Sequence, residues 1–171
     1  IFLISKNWQN FSKKQTLTLK KMNNRIMKEI NNLMKNPPPC ISVGVDERNA
    51  RYLHVRMAGP SQTPYDGGIF KLELFIPDGY PLVPPRARFL TRIYHPNIDK
   101  FGRICLDVLK ESTWTAAMNI NSILLSIQSL LSDPNPSDPL DTRIADQWTR
   151  DVNEAHRIAR EWTITYAYDN N

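Results

Sequence analysis

Three alternating apolar runs, Ile41-Val43-Val45, Leu53-Val55-Met57 and Phe70-Leu72-Leu74-Ile76, restrict the possible folds of this chain more than any other feature. Successive side chains on a strand point to opposite faces, so each run makes a ribbon with one apolar side and one polar side. Gly, Pro, Asn or Asp bounds every run, which marks the corners of an antiparallel meander. A fourth strand is expected around Arg86 to Thr91. It follows Tyr80-Pro81-Leu82-Val83-Pro84-Pro85, whose prolines bar continuation of the third strand and make a stiff surface loop. Helices must cover the apolar side. Ile26, Ile30, Leu33 and Met34 recur at helical spacing until Pro37-Pro38-Pro39 forbids continuation, so the first helix ends near Lys35. Ile120, Ile123, Leu124, Ile127, Leu130 and Leu131 mark a strongly apolar central helix that stops at Asp133-Pro134-Asn135-Pro136. Ile144 with Trp148, and Val152, Ala155, Ala159, Trp162 and Tyr166, mark two more. The expected layout is one helix, a four-stranded antiparallel meander, a long irregular segment and three helices: an α+β domain.

Charge narrows the classes of partner. The formal charge is +5, but Lys6, Lys13, Lys14, Lys20 and Lys21 supply that whole excess in a leader without acids. The remaining body balances basic against acidic residues and has no net field to gather polyanions, which argues against nucleic acid. No apolar run approaches the roughly 20 residues a membrane span needs. Only Cys40 and Cys105 are present, without a Cys-x-x-Cys pair or a His-x-x-x-His, so neither disulfide framework nor zinc site is expected, and cytoplasm or nucleus suits the free thiols. Residues 1–21 show no persistent periodicity and read as a disordered or non-native basic extension rather than an arginine-poor targeting peptide. The folded domain is expected over 22–171. Cys40, between three prolines and a strand, reads as a small buried filler.

The irregular stretch from Thr91 to Ala117 exceeds the usual length of about 12 to 15 residues for a structureless loop, and such loops tend to be functional. Cys105 lies within it. Ile104 and Leu106 are apolar anchors on either side, and Gly102 allows backbone conformations that other residues resist, so the thiol is expected to be held firmly at shallow depth. Three readings compete: an acyl-carrying cysteine, a cysteine hydrolase and a silent thiol in a scaffold. A nucleophile working unaided wants a helix N-terminus, a cation or an imidazole beside it. Arg103 favours a thiolate and Asp107 opposes it. His95 precedes Pro96 and reads as a loop staple rather than a general base. A cysteine without a strong base suits a carrier, because a base that activates water would destroy a thioester before an amine arrives. Asn97 has two readings, an amide donor to the oxyanion of a tetrahedral intermediate and a turn cap.

Together His95-Pro96-Asn97, Ile104-Cys105-Leu106-Asp107, Trp114 and Pro134-Asn135-Pro136-Ser137-Asp138-Pro139-Leu140 resemble the signature of ubiquitin-conjugating enzymes, in order and at that family's separations. The Tyr80-Pro81 to Pro84-Pro85 loop precedes them as it does in the family. The resemblance runs from about Met22 to the C-terminus and implies the ubiquitin-conjugating (UBC) fold. It also implies a thioester between Cys105 and the ubiquitin C-terminus, received from an activating enzyme that consumes ATP upstream, with no cofactor bound by this chain and lysine as the usual acceptor. By the same resemblance Asn97 is the oxyanion residue, Asp138 orients or deprotonates the incoming lysine, and Asp107 is a further position near the cysteine. An acid there makes physical sense, since it holds an ammonium and then takes its proton. Asp138 is equally readable as a turn acid before Pro139.

Within the family, Asp46 to Tyr52, Phe70 to Phe75 and Asp146-Gln147-Trp148 look most like the bendless type. That type pairs with a UEV, a homologous variant lacking the cysteine, and builds signalling rather than degradative chains. If Phe70, Leu72, Leu74 and Ile76 face the core, Phe75 stands among charges on the outer side, as at an interface. In the matching positions Glu73, Phe75, Arg88 and Phe101 meet the UEV. Arg25, Lys28, Leu82 and Thr115-Ala116-Ala117 meet the activating enzyme or RING-type ligases. Two departures fall there: Glu111-Ser112-Thr113 is one residue longer than usual, and Thr115-Ala116-Ala117 replaces Ser-Pro-Ala, a loss of proline that loosens the loop. A catalytically silent scaffold or ubiquitin-binding module of the same fold is the rival expectation.

Overall fold

A computed structural model describes residues 23–168; the extension expected over 1–21, with Met22, lies outside the described residues. Strands β1 (Ile41–Val45), β2 (Tyr52–Ala58), β3 (Ile69–Phe75) and β4 (Arg86–Phe89) pair antiparallel in the order of the sequence. Their register carries the alternation across the sheet. Val43, Val55, Leu72 and Phe89 form one transverse row of buried side chains, while His54, Glu73 and Arg88 form the next row on the outer face. A one-residue slip would exchange these rows, so the pattern fixes the pairing.

Two strand ends differ from expectation. Ile76 lies beyond β3 but remains buried, its amide bonded to the Arg51 carbonyl. β4 stops at Phe89 rather than Thr91. There the chain curls so that the amides of Leu90 and Thr91 both reach the Lys71 carbonyl and the Thr91 hydroxyl accepts from the Lys71 amide.

Helix α1 (Asn24–Lys35) starts under an Asn23 cap and buries Ile26, Ile30 and Leu33. Helix α2 (Ile120–Ser132) is closed by a reciprocal Asn119–Ser122 capping box and buries six apolar side chains, each contributing about 1.5–3 kcal/mol of gross hydrophobic burial. Helices α3 (Thr142–Arg150) and α4 (Val152–Tyr166) are capped by Asp141 and Asp151. A polar node ties α1 to α2 and to the proline loop. Glu29 Oε2 accepts from the Tyr80 hydroxyl (2.6 Å) and the Ile120 amide (3.0 Å), and Glu29 Oε1 accepts from Arg25 Nε (2.8 Å).

Cys40 corrects an expectation. It is exposed, with φ of 63°, rather than a buried filler. Its carbonyl accepts from the Ala58 amide at the sheet's edge, and the left-handed turn it makes before β1 leaves the residue exposed.

Candidate functional site

The segment from Thr91 to Ala117 is irregular but tightly pinned. His95 is fully buried, and its Nδ1 accepts from the Asn97 amide (3.0 Å). The ring proton is therefore on Nε2, which donates to the Leu130 carbonyl (3.0 Å) at the end of α2. Burial pushes this imidazole down to about 4, against the opposing effect of the Leu130 carbonyl, so it is neutral near pH 7 with both nitrogens engaged. It is the expected staple. A second pin is Asp99, whose Oδ1 accepts from the amides of Phe101 (2.9 Å) and Arg103 (3.0 Å) while Oδ2 pairs with Arg103 Nε (2.6 Å). Burial raises the Asp99 carboxyl, but the Arg103 bonds and the Phe101 amide outweigh it and leave it below its usual value. Gly102 has φ of 80°, and a Cβ there would lie 1.9 Å from the Phe89 carbonyl oxygen; this is a position where the backbone itself demands glycine. Ile104 and Leu106 pack against the core, and the Cys105 amide donates to the Asn97 carbonyl (2.8 Å). The thiol is half-buried, as expected of a firmly held, shallow cysteine.

Asn97 is 1% exposed and joins this segment to the loop after α2. Its Nδ2 donates to the carbonyls of Asn135 (2.6 Å) and Asp138 (2.9 Å), and its Oδ1 accepts from the Asn135 amide (2.8 Å). The amides of Leu140 and Asp141 add bonds to the Pro96 carbonyl. Both amide hydrogens of Asn97 are thus occupied by loop carbonyls, and an oxyanion bond would require releasing one. The arrangement present is a tie between two distant loops rather than a cap on a local turn.

This tie delivers Asp138 to the cysteine. Cys105 Sγ donates to Asp138 Oδ2 across 3.4 Å, and the same oxygen lies 2.9 Å from Lys110 Nζ. Lys110 also pairs with Asp107 Oδ1 at 2.9 Å, so Asp107 reaches the thiol's surroundings through the lysine. Lys110 follows a single 3-10 turn, Asp107–Leu109, that begins two residues after Cys105. Burial raises the Cys105 thiol first. The bond to Asp138 and the charges of Asp138 and Asp107 raise it further, against Lys110, so the resting group is a protonated thiol. Bonds from Lys110 and then Cys105 hold the Asp138 carboxyl below its usual range, while Asp138 and Asp107 hold Lys110 as ammonium. Lys110 and Asp99 were not among the candidates from sequence. Asp99-x-x-Gly102 carried a turn signal, whereas Lys110 is recruited across the chain by Asp138.

The outer positions divide. Glu73 and Arg88 form an ion pair, and Phe75 is half-buried, its ring tilted against Tyr52 (4.7 Å between centroids). Phe101 is 61% exposed, with Lys100 and Arg103 above its ring. Arg88 pairs by backbone with Arg103, so β4 and this loop share one surface. Leu82 is 82% exposed, and Trp114 Nε1 donates to the Pro81 carbonyl (2.8 Å), drawing the Leu82 loop toward exposed Thr115, Ala116 and Ala117. Lys28 is exposed. Arg25 is less available than expected: beyond Glu29, it donates to the Met118 carbonyl (2.7 Å) and lies over the Tyr80 ring. Among the described residues no group of three or more His, Cys, Asp or Glu is placed to hold a metal, and no helix is long and apolar enough to cross a membrane.

Comparison with known proteins agrees with this geometry. The family profile described as ubiquitin-conjugating enzyme matches residues 25–163. A Drosophila melanogaster protein named ubiquitin-conjugating enzyme E2 N is 56% identical over 145 residues, covering 85% of this chain and 95% of the relative. Its Macaca fascicularis namesake is 53% identical over 146 residues, with the same coverage. Saccharomyces cerevisiae ubiquitin-conjugating enzyme E2 13 is 52% identical, covering 84% of this chain and 93% of its own. The solved E2 domain of a Toxoplasma gondii ubiquitin-conjugating enzyme superposes with a TM-score of 0.77 at 38% identity, covering 84% of this chain and 97% of that one.

Proposed function

Because the chain belongs to the ubiquitin-conjugating enzyme family, we propose that Cys105 carries ubiquitin as a thioester and passes it to a lysine amine. The observation that carries this reading is the contact between Cys105 Sγ and Asp138 Oδ2, with His95 of the same segment buried, neutral and occupied at both nitrogens. In the first half-reaction the Cys105 sulfur attacks the thioester carbonyl carbon presented by the activating enzyme. The Cys105 proton is lost and the activating enzyme's thiol departs with one, so charge balances. ATP is used upstream, and this chain needs no cofactor. In the second half-reaction a lysine amine attacks the same carbon, the C–S bond breaks and Cys105 leaves as thiol. Asp138 holds the arriving ammonium and takes its proton, while Asn97 holds Asp138 in place. With the His95 imidazole occupied and Asp138, a weak base, paired with ammonium, little in the site activates water, which favours a long-lived thioester.

The finer partnership rests on the outer surface. Glu73, Phe75, Arg88 and Phe101 form an aromatic and charged patch across β3, β4 and the adjoining loop, which suits a UEV and with it signalling-type chains, in cytoplasm and nucleus. Leu82, with Thr115 to Ala117 and Lys28, suits the activating enzyme and RING-type ligases. The test is a non-reducing gel after mixing the protein with ubiquitin, activating enzyme and ATP. A thiol-sensitive adduct absent from Cys105→Ala, followed by chain growth on adding a UEV, is expected. No adduct would leave a silent scaffold of the same fold.

A further inference from the structure

We propose that Lys110 is an internal stand-in for the acceptor amine, occupying the carboxylate pair beside Cys105 until an acceptor lysine displaces it. The inference rests on the thioester-transfer reading above and identifies what fills the acceptor position at rest. Lys110 Nζ lies 2.9 Å from Asp138 Oδ2 and 2.9 Å from Asp107 Oδ1. Asp138 Oδ2 is also the oxygen that faces the Cys105 sulfur. An ammonium, the acid that would receive its proton and the reacting sulfur therefore already meet at one atom. An incoming lysine brings the same chemical group and needs the same two carboxylates.

Lys110 is built to be displaced. Its backbone is fixed, with its amide on the Asp107 carbonyl and its own carbonyl accepting from the amides of Thr113 and Trp114. The Thr113 hydroxyl, from the lengthened segment, adds bonds to the Asp107 and Lys110 carbonyls. Beyond that anchor the side chain is a flexible stem, 41% exposed as a whole, and its partners Asp107 and Asp138 are more exposed still. A permanent clamp is not required of it, because the loop bearing Asp138 is already tied by three bonds to Asn97 and two to the Pro96 carbonyl. Exposed ion pairs of this kind are each worth a small factor in an equilibrium, so displacing two should weaken acceptor capture by about threefold to tenfold.

The experiment follows loss of preformed Cys105–ubiquitin thioester against free lysine. It uses the wild type, Lys110→Met, Lys110→Arg, and Lys110→Met combined with Asp138→Asn. The stand-in predicts that Lys110→Met raises the initial slope of rate against lysine by about threefold to tenfold. The slope is read after subtracting each variant's own loss without lysine; Lys110→Arg behaves as wild type, and the gain vanishes with Asp138→Asn. A role in holding the loop would instead lower the slope, and an unchanged or lowered slope overturns the stand-in, as does failure of Lys110→Met alone to accept ubiquitin. If the wild type forms no thioester, the underlying transfer reading falls with it; normal wild-type transfer with no gain in Lys110→Met removes only the stand-in.

Discussion

Replacing Asn97 by alanine deletes three hydrogen bonds that a 1% exposed side chain makes to the loop after α2. A typical intramolecular hydrogen bond contributes a net of about 0.5–1.5 kcal/mol, so the three together stabilise by about 1.5–4.5 kcal/mol. Asn135 and Asp138 lie on an exposed stretch, and water can reach their freed groups once the loop moves, which puts the cost nearer about 2–3 kcal/mol. For a domain of this size each kcal/mol lowers Tm by roughly 2–4 °C, so a fall of roughly 4–12 °C is expected. Thioester formation should persist, because the Cys105 sulfur is untouched, while transfer to lysine should slow by about a hundredfold or more as Asp138 loses its position. Calorimetry and a single-turnover discharge assay on the same protein separate the roles. Slowed discharge with a Tm within about 1 °C of wild type would refute the loop-tie account and restore a direct oxyanion donor.

Two further outcomes follow from the same geometry. The neutral form of His95 is favoured by folding, since its value falls from 6.5 to about 4; stability is fully present above pH 6.5 and is lost as pH falls through that window, by about 3 kcal/mol. Urea unfolding across the window should show a steeper decline in wild type than in His95→Gln, and parallel declines would rule this histidine out. Phe75→Ala should abolish UEV binding with ubiquitin charging intact, because it removes the aromatic packed against Tyr52 beside the Glu73–Arg88 pair; undiminished co-elution on a sizing column would rule out this face.

The sheet was legible because Val43, Val55, Leu72 and Phe89 obey a strict alternation that only one register satisfies. The helices were legible through apolar spacing and through stops such as Pro37-Pro38-Pro39 and Asp133-Pro134. The exposure of Cys40 was not legible, because it comes from a left-handed turn before β1 at a non-glycine residue, which the local sequence does not mark. β4 ends early because of a side-chain cap between Thr91 and Lys71 that no local propensity encodes. In the site, Cys105 and His95 were legible from residue type and order, whereas Asp138 was singled out only by the family resemblance. The use of Asn97 was not legible, because its bonds cross 38 or more residues to a loop whose path is set only by the folded core. Lys110 escaped for the same reason, being an ordinary surface lysine until Asp138 is brought to it.

The most direct measurement of the central claim is the lifetime of the Cys105–ubiquitin thioester after charging is stopped, with and without added lysine. The account predicts an adduct that persists in buffer, collapses when lysine arrives and leaves ubiquitin attached to the lysine. An adduct that hydrolyses equally fast in buffer alone would reveal a base aimed at water and contradict the assignment of this site as a carrier.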